Sequence, residues 1–239
     1  MKSNNTIVET EDLVKVYYTG GIRFEALRGV SVRMEKGELV SVLGPSGSGK
    51  STLLHMMGLL DRPSSGKVFL ESEDTSKLSE DKLAIMRNQR IGFVFQAYNL
   101  IHRLNVVENV ALPLVSRGIN PAKRREEAMK MLDSVGLASK YENKPTELSG
   151  GEQQRVAIAR ALITYPRIVF GDELTGNLDS KTAMQIMKVI NDVNETLGTT
   201  FVLVTHNPEV AGATRRRIIV RDGLIERDER TGGGLKIDS

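Results

Sequence analysis

Cysteine and tryptophan are both absent from this sequence of 239 residues, and aromatic side chains make up only 5% of it. Without cysteine the chain can form neither a disulfide nor a thiolate metal site, which agrees with a reducing compartment. An excess of one charge is also missing, since 33 basic residues stand against 30 acidic ones. The net charge of +3 is too small to indicate a nucleic-acid or membrane surface. Partners must therefore be inferred from sites, and no nucleic acid is expected.

Long hydrophobic runs are missing as well. No stretch approaches the roughly 18 apolar residues of a membrane span. The first residues, MKSNNTIVETED, are polar and acidic where a signal peptide requires an apolar core. We therefore expect a cytoplasmic protein without direct membrane insertion, which would need a partner to hold it at a membrane.

The chain instead shows short strands and helices with one helical insertion. Apolar runs bounded by glycine-containing turns predict a buried helix at 51–60 and strands at 7–18, 24–34, 38–43, 67–71 and 91–95. From 97 to 146 the apolar spacing becomes helical, with Asn120 as N-cap and Pro121 at the first helical position. We predict that this segment is a helical subdomain inserted into the core.

The alternation of helix and strand resumes after Ser149. The pattern predicts a helix to about 164, a strand at 168–170, a helix from about 181, a strand at 200–205 and a hairpin of 217–221 and 224–227. The fold class is therefore α/β with a mainly parallel sheet. We expect one domain over 1–239, with its core formed by 1–96 and 147–239 and a flexible tail at 228–239.

The strongest chemical motif is GPSGSGKS, which follows the predicted strand at 38–43. A glycine, four residues and then Gly-Lys-Ser form the pattern of a phosphate-binding loop. The glycines let N–H groups converge on phosphate oxygens, Lys50 adds a positive charge, and the Ser51 hydroxyl can bind Mg²⁺. The predicted nucleotide contacts of this loop are Gly44, Pro45, Ser46, Gly47, Ser48, Gly49, Lys50, Ser51 and Thr52.

Two adjacent carboxylates, Asp172 and Glu173, follow the buried strand at 168–170. Ligands of open α/β sheets bind beyond the carboxyl ends of the strands, so this pair is expected beside the phosphate loop. Neighbouring residues point in different directions, which lets Asp172 face a magnesium ion while Glu173 faces a water that could attack a γ-phosphate. Without a phosphate loop in the same chain, such a pair would more often be a solvated turn.

Two further polar residues end predicted strands on the same side of the sheet. His206 follows the strand at 200–205, and a neutral imidazole there can hydrogen-bond a phosphate oxygen. Gln96 follows the strand at 91–95, and its amide can hold a metal-bound water, although a polar residue that merely caps a strand would look the same. For His55 and His102 we expect structural or surface roles.

The segment LSGGEQQR, residues 148–155, has the features of half an anion site. Gly150 and Gly151 expose backbone N–H groups at a predicted helix start, where the helix dipole favours negative charge. No lysine follows them within the segment. Ser149 and Glu152 also fit a capping box, in which each side chain accepts a hydrogen bond from the other's backbone N–H.

The motifs GPSGSGKS, Gln96, LSGGE, IVFGDE, GNLD and His206, in this order, resemble the ATPase subunits of ATP-binding cassette (ABC) transporters. Together they cover most of the chain. The stretches GFVFQAYNLIHRLNVVENVALPL and LLDRPSSGKV look like the branch that serves lipoprotein release and macrolide export. The resemblance implies a P-loop NTPase core with an N-terminal antiparallel β subdomain, and it implies ATP and Mg²⁺ as ligands.

The resemblance also implies a homodimer in the ATP-bound state. Two subunits would face head to tail, and each nucleotide would lie between the phosphate loop of one and the LSGG segment of the other. Within that segment, which we take as Ser149, Gly150, Gly151 and Glu152, the first and third residues would contact the γ-phosphate in trans. Asp179 would lie at the dimer seam.

Roles within one subunit follow from the same resemblance. The catalytic residues would be Glu173, His206 and Gln96, and the magnesium ligands Ser51, Gln96 and Asp172. Tyr17 would stack on adenine. Because neighbouring strand residues point to opposite faces, Tyr18 is the alternative, and the choice stays open.

Two positions depart from the family pattern. Glu152 stands where the family most often has glutamine, and a capping role would explain it without loss of function. Leu174 stands where proline commonly follows the glutamate, so the loop that carries Glu173 is expected to be slightly less rigid.

The expected function is ATP hydrolysis that drives an integral membrane permease from the cytoplasmic face of the cell membrane. One alternative is a soluble ATPase that acts on DNA, on ribosomes or in cofactor assembly. The segment between Gln96 and Leu148 has neither heptads nor cysteines, which argues against the DNA-acting relatives. A second alternative is a regulatory subunit with little turnover, as in cell division, and intact Glu173 and His206 argue against it. The transported substrate and the direction of transport cannot be inferred, because the membrane subunit selects them.

Overall fold

The computed structural model describes residues 5–231, with Thr19 by its backbone alone. The strands in this range are β1 (Thr6–Thr19), β2 (Ile22–Glu35), β3 (Leu39–Leu43), β4 (Ser65–Leu70), β5 (Glu73–Asp74), β6 (Ile91–Phe95), β7 (Ile168–Asp172), β8 (Thr200–Val204), β9 (Arg216–Arg221) and β10 (Leu224–Arg230). The helices are α1 (Lys50–Met57), α2 (Glu80–Arg90), α3 (Val106–Val115), α4 (Pro121–Ser134), α5 (Gly150–Leu162), α6 (Ser180–Leu197) and α7 (Pro208–Gly212).

The strands form two sheets. A four-stranded antiparallel sheet has the order β2-β1-β4-β5. A six-stranded sheet has the order β10-β9-β3-β8-β7-β6, and all its pairings are parallel except the terminal hairpin of β9 and β10. The expected α/β class is therefore confirmed, with a mainly parallel sheet and an N-terminal antiparallel part.

Hydrophobic clusters cover both faces of the six-stranded sheet, as strand β8 shows. Phe201 and Leu203 point into the cluster formed with α3 to α6, whereas Val202 and Val204 point into the cluster formed with α1 and the antiparallel sheet. Every residue of β8 is buried. Burial on both faces explains why this strand is a continuous apolar run and not an alternating one.

The inserted helices share a hydrophobic core with the rest of the domain. Asn120 caps α4 as predicted, since its Oδ1 accepts a hydrogen bond from the Ala122 N–H at 2.9 Å. Val110 of α3 and Leu132 of α4 belong to the same cluster as Ile158 of α5. The segment predicted as an insertion, 97–146, therefore shares its hydrophobic core with the rest of the domain.

Several element bounds differ from the predictions. The helix expected at 51–60 ends at Met57, because Leu59 is left-handed (φ 59°) and the Leu60 N–H bonds back to the His55 carbonyl at 2.9 Å. Helix α2 was not predicted, since only Leu83 and Met86 of it are buried.

The expected flexible tail at 228–239 starts too early. Residues 228–230 are the end of β10, where Asp228 is held by a 2.6 Å ion pair with the nearly buried Arg216. The remainder of that segment, from residue 232 on, lies outside the described residues.

The strand order decides where the site lies. Strands β3, β8, β7 and β6 are consecutive and parallel, so their carboxyl ends meet at one edge of the sheet. The phosphate loop follows β3, His206 follows β8, Glu173 follows β7 and Gln96 follows β6. The topology thus brings these motifs to a single edge, as the sequence predicted.

Candidate functional site

A cavity of about 400 Å³ lies at this edge of the sheet. Its walls come from the phosphate loop, from strand β2 and from the residues after β7 and β8. The lining residues are Phe24, Ala26, Gly44, Pro45, Ser46, Gly47, Gly49, Lys50, Ser51, Thr52, Glu173 and His206. The structure therefore brings most of the predicted phosphate loop together with two of the three predicted catalytic residues.

At two glycines of the phosphate loop, the backbone conformation and the neighbouring atoms leave no room for a side chain. Gly44 and Gly49 adopt φ of 151° and 103°, and a Cβ on them would lie 2.0 Å from the Val220 carbonyl oxygen and 2.4 Å from that of Ala26. Gly49 is also the N-cap of α1, so the first N–H groups of that helix face the cavity. The Lys50 ammonium donates to the Pro45 carbonyl at 2.9 Å and lies across the loop. These groups form a concave surface that suits an anion.

Asp172 and Ser51 are in direct contact. The Ser51 hydroxyl donates to Oδ1 of Asp172 at 3.1 Å. Burial raises the pKa of the Asp172 carboxyl, and the hydrogen bond from Ser51 opposes this effect. A bound cation would favour the ionised form. This hydroxyl and carboxylate suit Mg²⁺, which takes few protein ligands and completes its shell with phosphate and water oxygens.

Glu173 is held in an unusual backbone conformation next to His206. Its φ of 47° is left-handed, and its N–H donates to the Val204 carbonyl at 3.0 Å. Nδ1 of His206 lies 3.2 Å from Oε1 of Glu173. A left-handed conformation is costly for a residue with a side chain, and such residues concentrate at functional sites. The conformation turns the carboxylate away from the line of β7 and toward the cavity.

Leu174 follows Glu173 with a buried side chain, and the lower rigidity expected for this loop stays a prediction. Its side chain is buried in the cluster below the sheet edge, and a Cβ on Gly171 would lie 2.4 Å from Leu174 Cδ2. The side chain of Leu174 thus packs into the core directly after Glu173.

Gln96 is exposed and does not line the cavity. Its amide nitrogen lies 3.5 Å from Oδ1 of Asn177, and Nδ2 of Asn177 donates to the Gln96 carbonyl at 3.1 Å. In this conformation Gln96 contacts the GNLD segment and not the Ser51–Asp172 pair.

The LSGG segment lies apart from the cavity, at the start of α5. Ser149 and Glu152 form the predicted capping box, because Glu152 Oε2 accepts from the Ser149 N–H at 2.8 Å and the Glu152 N–H donates to the Ser149 hydroxyl at 3.3 Å. The Ser149 hydroxyl also donates to Glu152 at 2.8 Å, and Lys140 pairs with the same carboxylate at 3.3 Å. The hydrogen bond from the Ser149 N–H is the main reason that the pKa of the Glu152 carboxyl lies below its usual value, and the bond from the Ser149 hydroxyl adds to this effect.

Asp179 adjoins this segment. It caps α6, where Oδ1 accepts from the Thr182 N–H at 2.9 Å. A Cβ on Gly151 would lie 2.5 Å from Thr182 Cγ2, so the starts of α5 and α6 pack closely together. None of the residues 149–152 or Asp179 lines the cavity. Within one chain, the predicted nucleotide contacts thus fall into two separate groups.

Tyr17 does not line the cavity itself but pairs across the strands with Phe24, which does. Tyr18 is 75% exposed. The Tyr17 hydroxyl donates to Asp61 at 3.1 Å, and Lys15 pairs with Asp61 at 2.7 Å. Burial is the main cause of the raised pKa of the Tyr17 phenol, and the negative charge of Asp61 raises it further. Its partner across the strand pair is Phe24, so these two rings lie on the same face of the antiparallel sheet.

Phe24 and Ala26 are the two lining residues that the sequence analysis missed, and Phe24 is the aromatic one. It lines the cavity and is 52% exposed. A signal was present, because the turn at Gly20-Gly21 pairs Thr19 with Ile22 and therefore places Phe24 opposite Tyr17.

Comparison with known proteins identifies the family. The model of the ABC transporter family matches residues 27–176, which is more than half of the chain. The chain belongs to the ABC transporter family. The resemblance described from the motifs is therefore confirmed, and the fold expected from it is confirmed as well.

Three curated relatives place the chain within the ABC family. An uncharacterized ABC transporter ATP-binding protein of Thermotoga maritima is 48% identical over 95% of this chain and 96% of its own length. A lipoprotein-releasing system ATP-binding protein LolD of Pseudoalteromonas translucida is 43% identical over 93% of this chain and 96% of its own. A macrolide export ATP-binding/permease protein MacB of Bdellovibrio bacteriovorus is 45% identical over 94% of this chain, which spans only 34% of that longer protein.

A solved structure supports the same placement. The ATP-binding cassette MJ0796 has been solved as a dimer bound to ADP and phosphate in a post-hydrolysis state. It is 42% identical to this ABC protein, with a TM-score of 0.86 over 94% of this chain and 98% of its own. Within residues 5–231 of our chain, no helix combines the length and apolarity that crossing a membrane requires.

The capping box of this ABC protein generates a prediction for the Glu152 departure. Glutamine can accept from the Ser149 N–H as glutamate does, so Glu152→Gln should leave the steady-state ATPase rate within a few-fold. Glu152→Ala, the matched control, removes the reciprocal bond and should lower the free energy of unfolding by about 1 kcal/mol in chemical denaturation. A rate change of orders of magnitude in Glu152→Gln would show that the charge itself acts on nucleotide.

Proposed function

We propose that this chain is the ATP-binding and ATP-hydrolysing subunit of an ABC transporter and that it works as a homodimer with a permease in the membrane. The observation that carries the proposal is the split of the nucleotide contacts. The phosphate loop, Glu173 and His206 share one cavity, whereas the LSGG segment and Asp179 lie on another surface of the chain. A head-to-tail pair of chains unites the two groups around each nucleotide.

The residues of the cavity would act on ATP mainly by position and charge. The loop N–H groups and Lys50 bind the phosphates, and Ser51 with Asp172 would hold Mg²⁺, which supplies positive charge to the phosphate oxygens. Glu173 orients a water and accepts its proton as the water oxygen bonds to the γ-phosphorus. The bond from that phosphorus to the bridging oxygen breaks, and ADP and phosphate result.

His206 acts on the same step through its contact with Glu173. At 3.2 Å from the carboxylate, its ring restrains the side chain that must face the water. Its other ring nitrogen is free to face the γ-phosphate in a closed dimer. Gln96 would reach the metal shell only after it leaves Asn177, so we propose that its contact with the GNLD segment changes when nucleotide binds.

The partner copy would complete the site with its LSGG segment. Ser149 and Gly151 of that copy would face the γ-phosphate, where the N-terminal N–H groups of α5 favour negative charge. To donate to phosphate, the Ser149 hydroxyl must turn away from Glu152, to which it donates at 2.8 Å here.

A permease would dock on the exposed apolar side chains near α2 and α3. Ile85 is 56% exposed and Val115 is 50% exposed. Ile85 lines a groove with Ala84, Asn88, Gln89, Ser116, Arg117 and Ile119. The relatives named for lipoprotein release and macrolide export favour a partner of those classes and a position at the cytoplasmic face of the membrane. A regulatory ATPase with little turnover is not favoured, since Glu173 and His206 both line the cavity.

The main test is ATP-dependent dimerisation of Glu173→Gln. This variant loses the proton acceptor but keeps every phosphate contact, so it should hydrolyse ATP at least 100-fold more slowly and form a stable dimer. Size-exclusion chromatography with light scattering at saturating Mg-ATP measures the dimer. The control, Glu173→Gln with Lys50→Ala, should stay monomeric. A monomeric Glu173→Gln at saturating ATP would contradict the composite site.

The adenine contact is tested by three alanine variants. Tyr17→Ala and Phe24→Ala should each weaken ATP binding to the monomer roughly tenfold, because stacking of a base on an aromatic ring contributes about 1 to 3 kcal/mol. Tyr18→Ala is the matched control and should leave the dissociation constant unchanged. Fluorescence titration with a labelled ATP analogue gives the constants. If Tyr18→Ala weakened ATP binding more than Tyr17→Ala, Tyr18 and not Tyr17 would be the residue that stacks on adenine.

A further inference from the structure

Arg160, in the last turn of α5, binds two successive backbone carbonyls of the segment after β6. One terminal nitrogen donates to the Asn99 carbonyl at 2.6 Å, and the other donates to the Tyr98 carbonyl at 2.7 Å. Among the described residues, no carboxylate lies within ion-pair distance of this half-buried guanidinium. Both terminal nitrogens of the guanidinium therefore donate to neutral backbone carbonyls.

The two residues that Arg160 holds have an unfavourable backbone conformation. Tyr98 and Asn99 are both left-handed, with φ of 58° and 51°. Asparagine tolerates this conformation better than most residues, but tyrosine does not. Two such residues in succession persist only where the surroundings fix them. The paired hydrogen bonds from Arg160 supply such a restraint.

The same short segment contacts the two surfaces that a partner copy would use. A Cβ on Gly150, the first residue of α5, would lie 3.0 Å from the Tyr98 hydroxyl. At the other end of the segment, Gln96 forms two hydrogen bonds with Asn177 of the GNLD segment. Its side-chain amide donates to Oδ1 of Asn177 at 3.5 Å, and its backbone carbonyl accepts from Nδ2 of Asn177 at 3.1 Å. The conformation of 96–99 thus determines how Tyr98 meets the LSGG start and how Gln96 meets the loop after β7.

We propose that Arg160 is a positioning residue that locks segment 96–99 to helix α5, so that Gln96 and the LSGG segment move as one unit when two chains close on ATP. The inference rests on the proposed function. It assigns to Arg160 no contact with nucleotide, since Arg160 does not line the cavity.

The test measures dimerisation in the Glu173→Gln background. Arg160→Lys keeps the charge, but one ammonium cannot reproduce the two-armed geometry of a guanidinium. We expect the ATP concentration for half-maximal dimerisation to rise at least tenfold. Binding of labelled ATP analogue to the monomer should stay within twofold, which separates positioning from a loss of the phosphate site.

Arg117→Lys is the matched control. Arg117 is also half-buried and also binds backbone, since it donates to the Asn88 carbonyl at 2.7 Å and to the Asn88 side chain at 2.8 Å. It links α2 to the Thr164 carbonyl after α5, at 3.4 Å, and does not contact segment 96–99. Its replacement should therefore cost comparable thermal stability without a shift in dimerisation. An equal shift in both variants would overturn the proposal, because loss of stability alone would then explain it.

Rescue supplies a second readout. Asn99→Gly makes the left-handed conformation easy, so adding it to Arg160→Lys should recover most of the lost dimerisation. No recovery would overturn the conformational account. If Arg160→Lys fails to fold, Asn99→Val replaces it in the test, because Asn99 is exposed and a β-branched residue disfavours the left-handed conformation. This variant should also raise the ATP concentration for half-maximal dimerisation. An unchanged concentration would overturn the proposal. A parent Glu173→Gln that never dimerises would instead refute the proposed function.

Discussion

Everything at this site depends on one constraint, which is that the carboxyl ends of β6, β7, β8 and β3 lie side by side at one edge of a parallel sheet. Residues far apart in sequence meet there because each strand is buried on both faces and cannot shift its register without exposing apolar side chains. The hydrogen bond between Ser51 and Asp172 joins residues from two of these strand ends. The contact between Glu173 and His206 joins the ends of β7 and its neighbour β8.

In the mechanism that we propose, a single chain supplies only part of the nucleotide site. The cavity supplies the phosphate loop, Lys50 and the acid Glu173, whereas the second set of N–H groups, at the start of α5, faces elsewhere. In the monomer the Ser149 hydroxyl is engaged by Glu152, and Gln96 is engaged by Asn177. These local contacts keep both polar side chains satisfied until a partner and a nucleotide replace them, which makes the dimer the functional unit in our account.

Much of this could be predicted from the sequence, because the evidence was local. The phosphate loop is a contiguous motif, the run at 200–204 marks a central strand, and the Ser149–Glu152 capping box spans a single helical turn. Helix α2 was missed because only two of its side chains are buried and its apolar periodicity is correspondingly weak. The Arg160 contact with Tyr98 and Asn99 was missed for another reason. It joins residues about sixty positions apart through backbone carbonyls, and no side-chain pattern records such a bond.

The central claim, that each working site is built from two chains, is tested most directly by mixing two defective variants. Ser149→Arg blocks the LSGG segment and Lys50→Ala disables the phosphate loop, so each homodimer lacks every complete site. A heterodimer of the two restores one site, in which the intact loop of the first chain faces the intact segment of the second. The account predicts negligible ATPase activity in each variant alone and recovery toward half of the wild-type rate in the isolated heterodimer, which keeps one of its two sites. Full activity of Ser149→Arg alone, or no recovery in heterodimers isolated through a different affinity tag on each chain, would contradict it.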